Sequence, residues 1–190
     1  MGRMKQLLPL GQNPAILHCL DSVISSGIKD IIVVLGYSGQ AIEEVIQDYP
    51  VRIVFNSNPE SEMAESARSG LKEISNLSTA SLVCLADHPL VTPETIKALV
   101  NSHRQTPHKI IIPQFKGQRG HPSLFPGPLI DEIFTGVNLR QIIVSNSEKV
   151  KTIDVSDEGI VVDMDTPEDY LKICEKLSLY AKNNDEQFCL

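Results

Sequence analysis

Tryptophan is absent from this 190-residue chain and aromatic residues make up only 5% of it, so any core must be built from aliphatic side chains. There is no excess of basic charge. Seventeen Lys and Arg stand against 24 Asp and Glu, a net charge of −7, which excludes a general nucleic-acid binder with a basic face. The small basic set points to local duties instead: Arg3, Lys5, Arg68, Lys116, Arg119 and Arg140. Four cysteines, at positions 19, 84, 174 and 189, show no CxxC or other ligand spacing and read as thiols of a reducing compartment. No stretch approaches the roughly 18 apolar residues of a membrane span, and no signal-peptide pattern is visible, so a cytoplasmic location is expected. Repeats and low-complexity linkers are also missing. One domain over residues 1–182 with a frayed tail at 183–190 is the expectation, large enough at 42% hydrophobic content to bury a core.

What is present is an alternation of strand-like and helix-like segments. Asn13-Pro14 opens a helix with apolar residues at 16, 17, 20, 23 and 24, and Gly27 stops it. Asp30 to Gly36 holds Ile-Ile-Val-Val-Leu, a run typical of a strand buried on both faces. A helix from Ser38 to about Asp48, a strand from Val51 to Phe55, and a helix from Ser61 to about Ile74 follow. Ala80 to Ala86 is a further apolar strand, Thr92-Pro93-Glu94 starts a helix, and Ile110 to Ile112 forms a short strand ending at Pro113. Beyond it glycines and prolines crowd the chain, then strands near 150–154 and 159–163 precede a C-terminal helix. Such alternation predicts an α/β fold of three layers, a mostly parallel sheet with helices on both faces.

Ligands of such sheets bind beyond the carboxyl ends of the strands, and acidic side chains stand there. Asp163 and Asp165 flank one residue, so an extended backbone turns both toward the same side. Thr166 is a natural N-cap, and Pro167, Glu168 and Asp169 suit the first helical turn. Two like charges on one face suit a hard divalent ion between them; solvated carboxylates at a strand-to-helix turn are the other reading. Asp87, in Leu85-Ala86-Asp87-His88-Pro89, stands at another strand tip, where it either caps a turn or completes a carboxylate metal site. Gly2, Arg3 and Lys5 put a flexible residue and two cations ahead of an apolar stretch.

These motifs together resemble the molybdenum-cofactor nucleotidyltransferases, most closely their cytidylyltransferase branch. Met1-Gly2-Arg3-Met4-Lys5 matches the end of that family's nucleotide loop, and Asn58-Pro59 with Met63 to Leu71 is similar to its Asn-Pro and Gly-Met-x-x-Ser-Leu stretch. Leu85-Ala86-Asp87-His88-Pro89, Gly120-His121-Pro122 and Asp163-Met164-Asp165-Thr166-Pro167 follow in the family's order. The resemblance implies a nucleotide-diphospho-sugar transferase-like, Rossmann-type fold. It also implies transfer of a nucleoside monophosphate, CMP from CTP in preference to GMP from GTP, to a molybdopterin-type cofactor, with release of pyrophosphate. In that scheme Mg2+ lies between Asp87 and Asp165 with Asp163 near, Gly2, Arg3 and Lys5 hold the triphosphate, and His121, Ser66 and Arg68 meet the acceptor or base. A molybdenum hydroxylase or its chaperone would receive the product; no nucleic acid and no membrane enter the scheme.

The chain departs from the family in two places. The family's first strand and the Leu-Ala-Ala-Gly part of its nucleotide loop have no counterpart after Met1, so the expectation is either a protein extended upstream or a shortened relative. Around Gly136-Val137-Asn138-Leu139-Arg140 only the glycine and arginine of a Gly-Asp-x-Gly-x-Arg element remain. Two other functions stay open on sequence: a glycosyltransferase using Asp163-Met164-Asp165 on a nucleotide-sugar, and a non-catalytic binder of nucleotide or cofactor.

Overall fold

The structure, a computed structural model, describes residues 4–56, 58, 63–75 and 77–187, with side chains through Ser178. A 3₁₀ turn at Lys5–Leu7 leads into a two-residue hairpin of β1 (Pro9–Leu10) and β2 (Asn13–Pro14), turned by Gly11 at φ 65°. There follow α1 (Ala15–Ser25), β3 (Ile32–Leu35), α2 (Gln40–Ile46), β4 (Arg52–Phe55), α3 (Met63–Leu71), β5 (Ala80–Val83) and α4 (Pro93–Gln105). The second half holds β6 (Ile110–Phe115), β7 (Gln118–Arg119), β8 (Ser123–Pro126), α5 (Gly127–Ile130), α6 (Leu139–Ser145), β9 (Val150–Asp154) and α7 (Pro167–Gln187). Thr92 caps α4, and Asn138 with Gln141 forms a reciprocal capping box on α6.

Helices and strands alternate as the apolar pattern requires, and the α/β class holds. β3 and β4 pair in parallel, Ile32 opposite Arg52 through Leu35 opposite Phe55, and β6 and β9 pair in parallel over five residues. Antiparallel β8 lies between β5 and β6, so the larger sheet runs β5-β8-β6 with β7 and β9 both paired to β6. Its two faces are separately covered. Ile110, Ile112 and Phe125 pack toward α3, α5 and α6, whereas the intervening Ile111 and Leu124 pack on Leu99 of α4. Side chains of period two on a sheet between two helical layers produce this split.

Two sequence expectations need correction. Pro113 does not end its strand: β6 runs on to Phe115, because Pro113 turns its backbone toward β7, where its carbonyl accepts from Gly120 N at 3.0 Å. The segment expected as a strand at 159–163 is instead a 3₁₀ turn, Glu158–Val161, followed by extended chain outside any sheet. Asp157 explains the turn, its carboxylate accepting from Gly159 N at 2.8 Å.

The feature that positions the site is a join between the two ends of the chain. Leu10 and Ala15 form one fully buried cluster with Met164 and Ile173, and Tyr170 Oη donates to the Pro9 carbonyl at 2.7 Å. The N-terminal turn is thereby fastened beside the start of α7.

Candidate active site

Three side chains separated widely in sequence meet where these elements converge. Asp87 follows β5 in a turn, and its carbonyl accepts from Met164 N at 2.9 Å, fixing the loop before α7 against the tip of β5. Burial of Met164 leaves its neighbours Asp163 and Asp165 exposed, as alternation in an extended segment requires. Lys5 then reaches across: Nζ lies 2.8 Å from Asp87 Oδ2 and 2.6 Å from Asp165 Oδ1. Burial lowers the Lys5 pKa, but hydrogen bonds and charge from Asp165 and Asp87 outweigh it, and the net shift is upward. Lys5 thus places an ammonium between one oxygen of each carboxylate.

Asp87 retains one oxygen for other work. Its Oδ1 is buried and has no hydrogen-bond partner, and His88 Nε2 lies 4.0 Å from it. A buried carboxylate oxygen left unpaired is costly unless something positive occupies its free side. Hard oxygen donors of this kind fit Mg2+ or Mn2+. Among the described residues no group of three or more His, Cys, Asp or Glu stands together as a ready-made metal cage. A metal here would complete its shell with water and phosphate, the ordinary habit of Mg2+.

Two histidines back the acidic pair. His88 and His121 stack obliquely with centroids 5.4 Å apart, and His88 Nδ1 lies 3.4 Å from the Gly159 carbonyl. The His121 pKa is lowered by burial and by His88, with Asp87 opposing, and its Nδ1 is buried without a partner. The loop carrying His121 sits hard against the 3₁₀ turn. A Cβ at Gly120 would stand 2.1 Å from the Ile160 carbonyl oxygen, and one at Gly159 would stand 2.4 Å from that of Leu90. Asp157 locks the same junction, its Oδ2 accepting from Thr92 N, Thr92 Oγ1 and Thr95 Oγ1 at 2.8, 2.9 and 2.7 Å. Neither His88 nor Asp157 stood out as a site residue in the sequence. The Asx-turn spelling Asp157-Glu158-Gly159 was the available signal for the second.

Thiol chemistry is not what this region offers. Burial pushes the Cys19 and Cys84 thiols up to about 12, far from the range of a reactive thiolate.

A family model of the MobA-like NTP transferase domain matches residues 1–149. The chain belongs to that family. The match covers Lys5, Asp87 and His121 and stops short of Asp163 and Asp165. The chain is 27% identical over 180 residues to nicotine blue oxidoreductase of Paenarthrobacter nicotinovorans, covering 89% of this chain and 87% of that protein. It is 26% identical over 158 residues to the bifunctional protein GlmU of Nitrosomonas europaea, covering 83% of this chain and 33% of GlmU. The chain thus spans about a third of that relative's length. The crystal structure of Rv0371c from Mycobacterium tuberculosis H37Rv, in complex with manganese, superposes with a TM-score of 0.80. At 24% identity over 92% of this chain and 93% of that one, the likeness shows the fold.

The remaining residues singled out in the sequence fall elsewhere in this MobA-like domain. Ser66 and Arg68 are on α3: Ser66 accepts from Asn56 Nδ2 at 3.1 Å, and Arg68 Nη1 donates to the Ile133 carbonyl at 3.3 Å. Among the described residues neither is hydrogen-bonded to Lys5, Asp87 or Asp165. Gly2 and Arg3 lie outside the described residues. No helix among the described residues is long and apolar enough to cross a membrane.

Proposed function

We propose that this MobA-like domain is a magnesium-dependent nucleotidyltransferase that moves CMP from CTP to the phosphate of a molybdopterin-type acceptor, releasing pyrophosphate. The observation that carries the reading is the Lys5 ammonium seated between Asp87 and Asp165, with Asp87 Oδ1 still unpartnered. Reactants of this kind are both polyanions, and their approach needs cations held ready by fixed carboxylates. Asp87 and Asp165 would hold Mg2+, with Asp163 in support; the ion would supply neutralisation of the phosphate charge and orientation of its oxygens. The manganese in the Rv0371c structure supports divalent-metal use. Lys5, with Arg3 and Gly2, steadies the triphosphate. His121 meets the acceptor with its free Nδ1, and Ser66 and Arg68 contact acceptor or base. A phosphate nucleophile is already ionised at neutral pH, so no general base is required.

The test is pyrophosphate release from CTP and from GTP with Mg2+ and a molybdopterin acceptor. Release with CTP, weaker with GTP, is expected. Asp87→Asn and Asp165→Asn should each lower turnover by roughly 10²–10³-fold, and Asp163→Asn by less. Undiminished turnover in either of the first two variants would remove the assignment. The near full-length similarity to nicotine blue oxidoreductase sustains a second reading, a redox protein. Dye reduction without any pyrophosphate release would favour it.

A further inference from the structure

Asp87 divides its two carboxylate oxygens between different duties. Oδ2 holds the Lys5 ammonium at 2.8 Å, and the buried Oδ1 is left facing His88 Nε2 at 4.0 Å. His88 is the next residue in the turn after β5 and is only 8% exposed. Its ring is set from the other side. The Gly159 carbonyl lies 3.4 Å from Nδ1, and a carbonyl only accepts, so Nδ1 carries the ring proton. The neutral imidazole then presents a lone pair at Nε2. An acceptor nitrogen and a carboxylate oxygen therefore face each other.

Their separation is informative. An imidazolium donating to a carboxylate closes to about 2.7–2.9 Å, so at 4.0 Å the ring is not hydrogen-bonded to Oδ1. Two electron-pair donors on one side of a buried site are costly unless a cation meets both. Bonds from imidazole nitrogen and carboxylate oxygen to a transition ion such as Zn2+ are each about 2.0–2.2 Å. One ion is within the combined reach of the two atoms.

The support behind His88 is that of a metal-binding histidine. Such a ring gives its remaining N–H to a carbonyl or carboxylate that fixes tautomer and direction. Gly159 is that partner, and it is held firmly. Its N–H donates to Asp157 Oδ1 at 2.8 Å, and its carbonyl also accepts from Val162 N at 3.4 Å. A Cβ at Gly159 would stand 2.4 Å from the Leu90 carbonyl oxygen, so the backbone there has no room to shift.

We propose that His88 Nε2 ligates the divalent ion at Asp87 Oδ1, so that this site binds a transition-metal ion such as Mn2+ more tightly than the Mg2+ of the proposed reaction. The inference rests on the reading of Asp87 as a metal ligand and deepens it. An all-oxygen site suits Mg2+, whereas an imidazole nitrogen adds more to a transition ion. Asp165, water and phosphate oxygens complete the shell.

The test is pulsed electron paramagnetic resonance of Mn2+ on the full 190-residue chain, alone and with CTP. Echo modulation from a directly bound nitrogen is expected, changing its pattern when the histidines are isotopically labelled. Labelling identifies the ring without a substitution, so the result does not depend on a variant folding. His88→Gln should lose the modulation and bind Mn2+ at least about tenfold more weakly, while Mg2+, measured by competition, weakens less than about threefold. His121→Gln should keep the modulation. Mn2+ bound in an Asp87-dependent way without histidine nitrogen overturns the proposal and leaves the nucleotidyltransferase reading standing. Modulation that survives in folded His88→Gln, or equal weakening of both ions, overturns it likewise. Mn2+ that fails to bind the wild type in either condition, or binds Asp87→Asn equally well, overturns both.

Discussion

Lys5 serves two carboxylates of unequal burial, Asp87 with 23% of its side chain accessible and Asp165 with 61%. Exposed ion pairs contribute little to stability, so the residue's worth lies in holding charge in place for a substrate. Lys5→Met should therefore raise the apparent triphosphate constant about tenfold or more, while costing no more than about 1 kcal/mol of stability. The small stability cost has a pH signature. The Lys5 pKa is raised in the folded state above its ordinary 10.5, so its contribution is complete below that value and lost as the pH climbs through the folded-state pKa. The difference in melting temperature between wild type and Lys5→Met should be flat between about pH 6 and 9 and close above pH 10.5. A difference that closes on acidification instead would mean the pair is governed by protonation of Asp87 or Asp165. The resemblance implied one site, with a metal between Asp87 and Asp165 and Lys5 on the triphosphate, but not a direct contact of Lys5 with both carboxylates. Their meeting depends on Leu10, Ala15, Met164 and Ile173 packing together, a contact between chain ends that no local pattern announces.

At the scale of elements, what could be read was what local chemistry dictates. Thr92 before Pro93 caps α4, Gly27 follows α1, and the Ile-rich run of β6 is buried on both faces. What could not be read was decided by partners distant in sequence. The 3₁₀ turn at Glu158–Val161 replaces a strand because Asp157 spends its carboxylate on four donors, three of them at the start of α4. That network ties the loop before Asp163 to the turn that follows Asp87, and it should be worth measuring directly. Asp157→Ala should cost about 2–4 kcal/mol in denaturant unfolding, the range expected when several hydrogen bonds to a charged acceptor and a cap are lost together. Asp157→Asn, which keeps part of the acceptor set, should cost less. A midpoint unchanged in the alanine variant would show that backbone packing at Gly159, not the carboxylate, holds the junction.

For the whole molecule, alternating helices and strands make the α/β class legible, because segments buried on both faces carry continuous apolar runs. Strand order is another matter: β8, antiparallel between β5 and β6, lies in a stretch crowded with Gly and Pro that showed no strand period. The resemblance expects a strand centrally in the sheet, and the described residues place a groove between β3 and β5. One consequence is unequal cooperativity. Ile16, Leu20, Leu35, Ile42 and Ile46 form a core of their own around α1, α2 and β3, apart from the core of β6, β8, α5 and α6. With no ladder between β3 and β5 among the described residues, the first unit should open without the second. Native-state hydrogen exchange should show the Val33 and Val54 amides exchanging through a smaller opening free energy than those of Ile112 and Leu124, by at least about 1–2 kcal/mol. Destabilising the first core with Ile46→Ala, a cavity of about 2–5 kcal/mol, should accelerate Val33 and Val54 and leave Ile112 largely unmoved. Exchange of all four amides through a single opening, shifting together in that variant, would show that α1 and α3 couple the two cores across the groove as firmly as a continuous sheet.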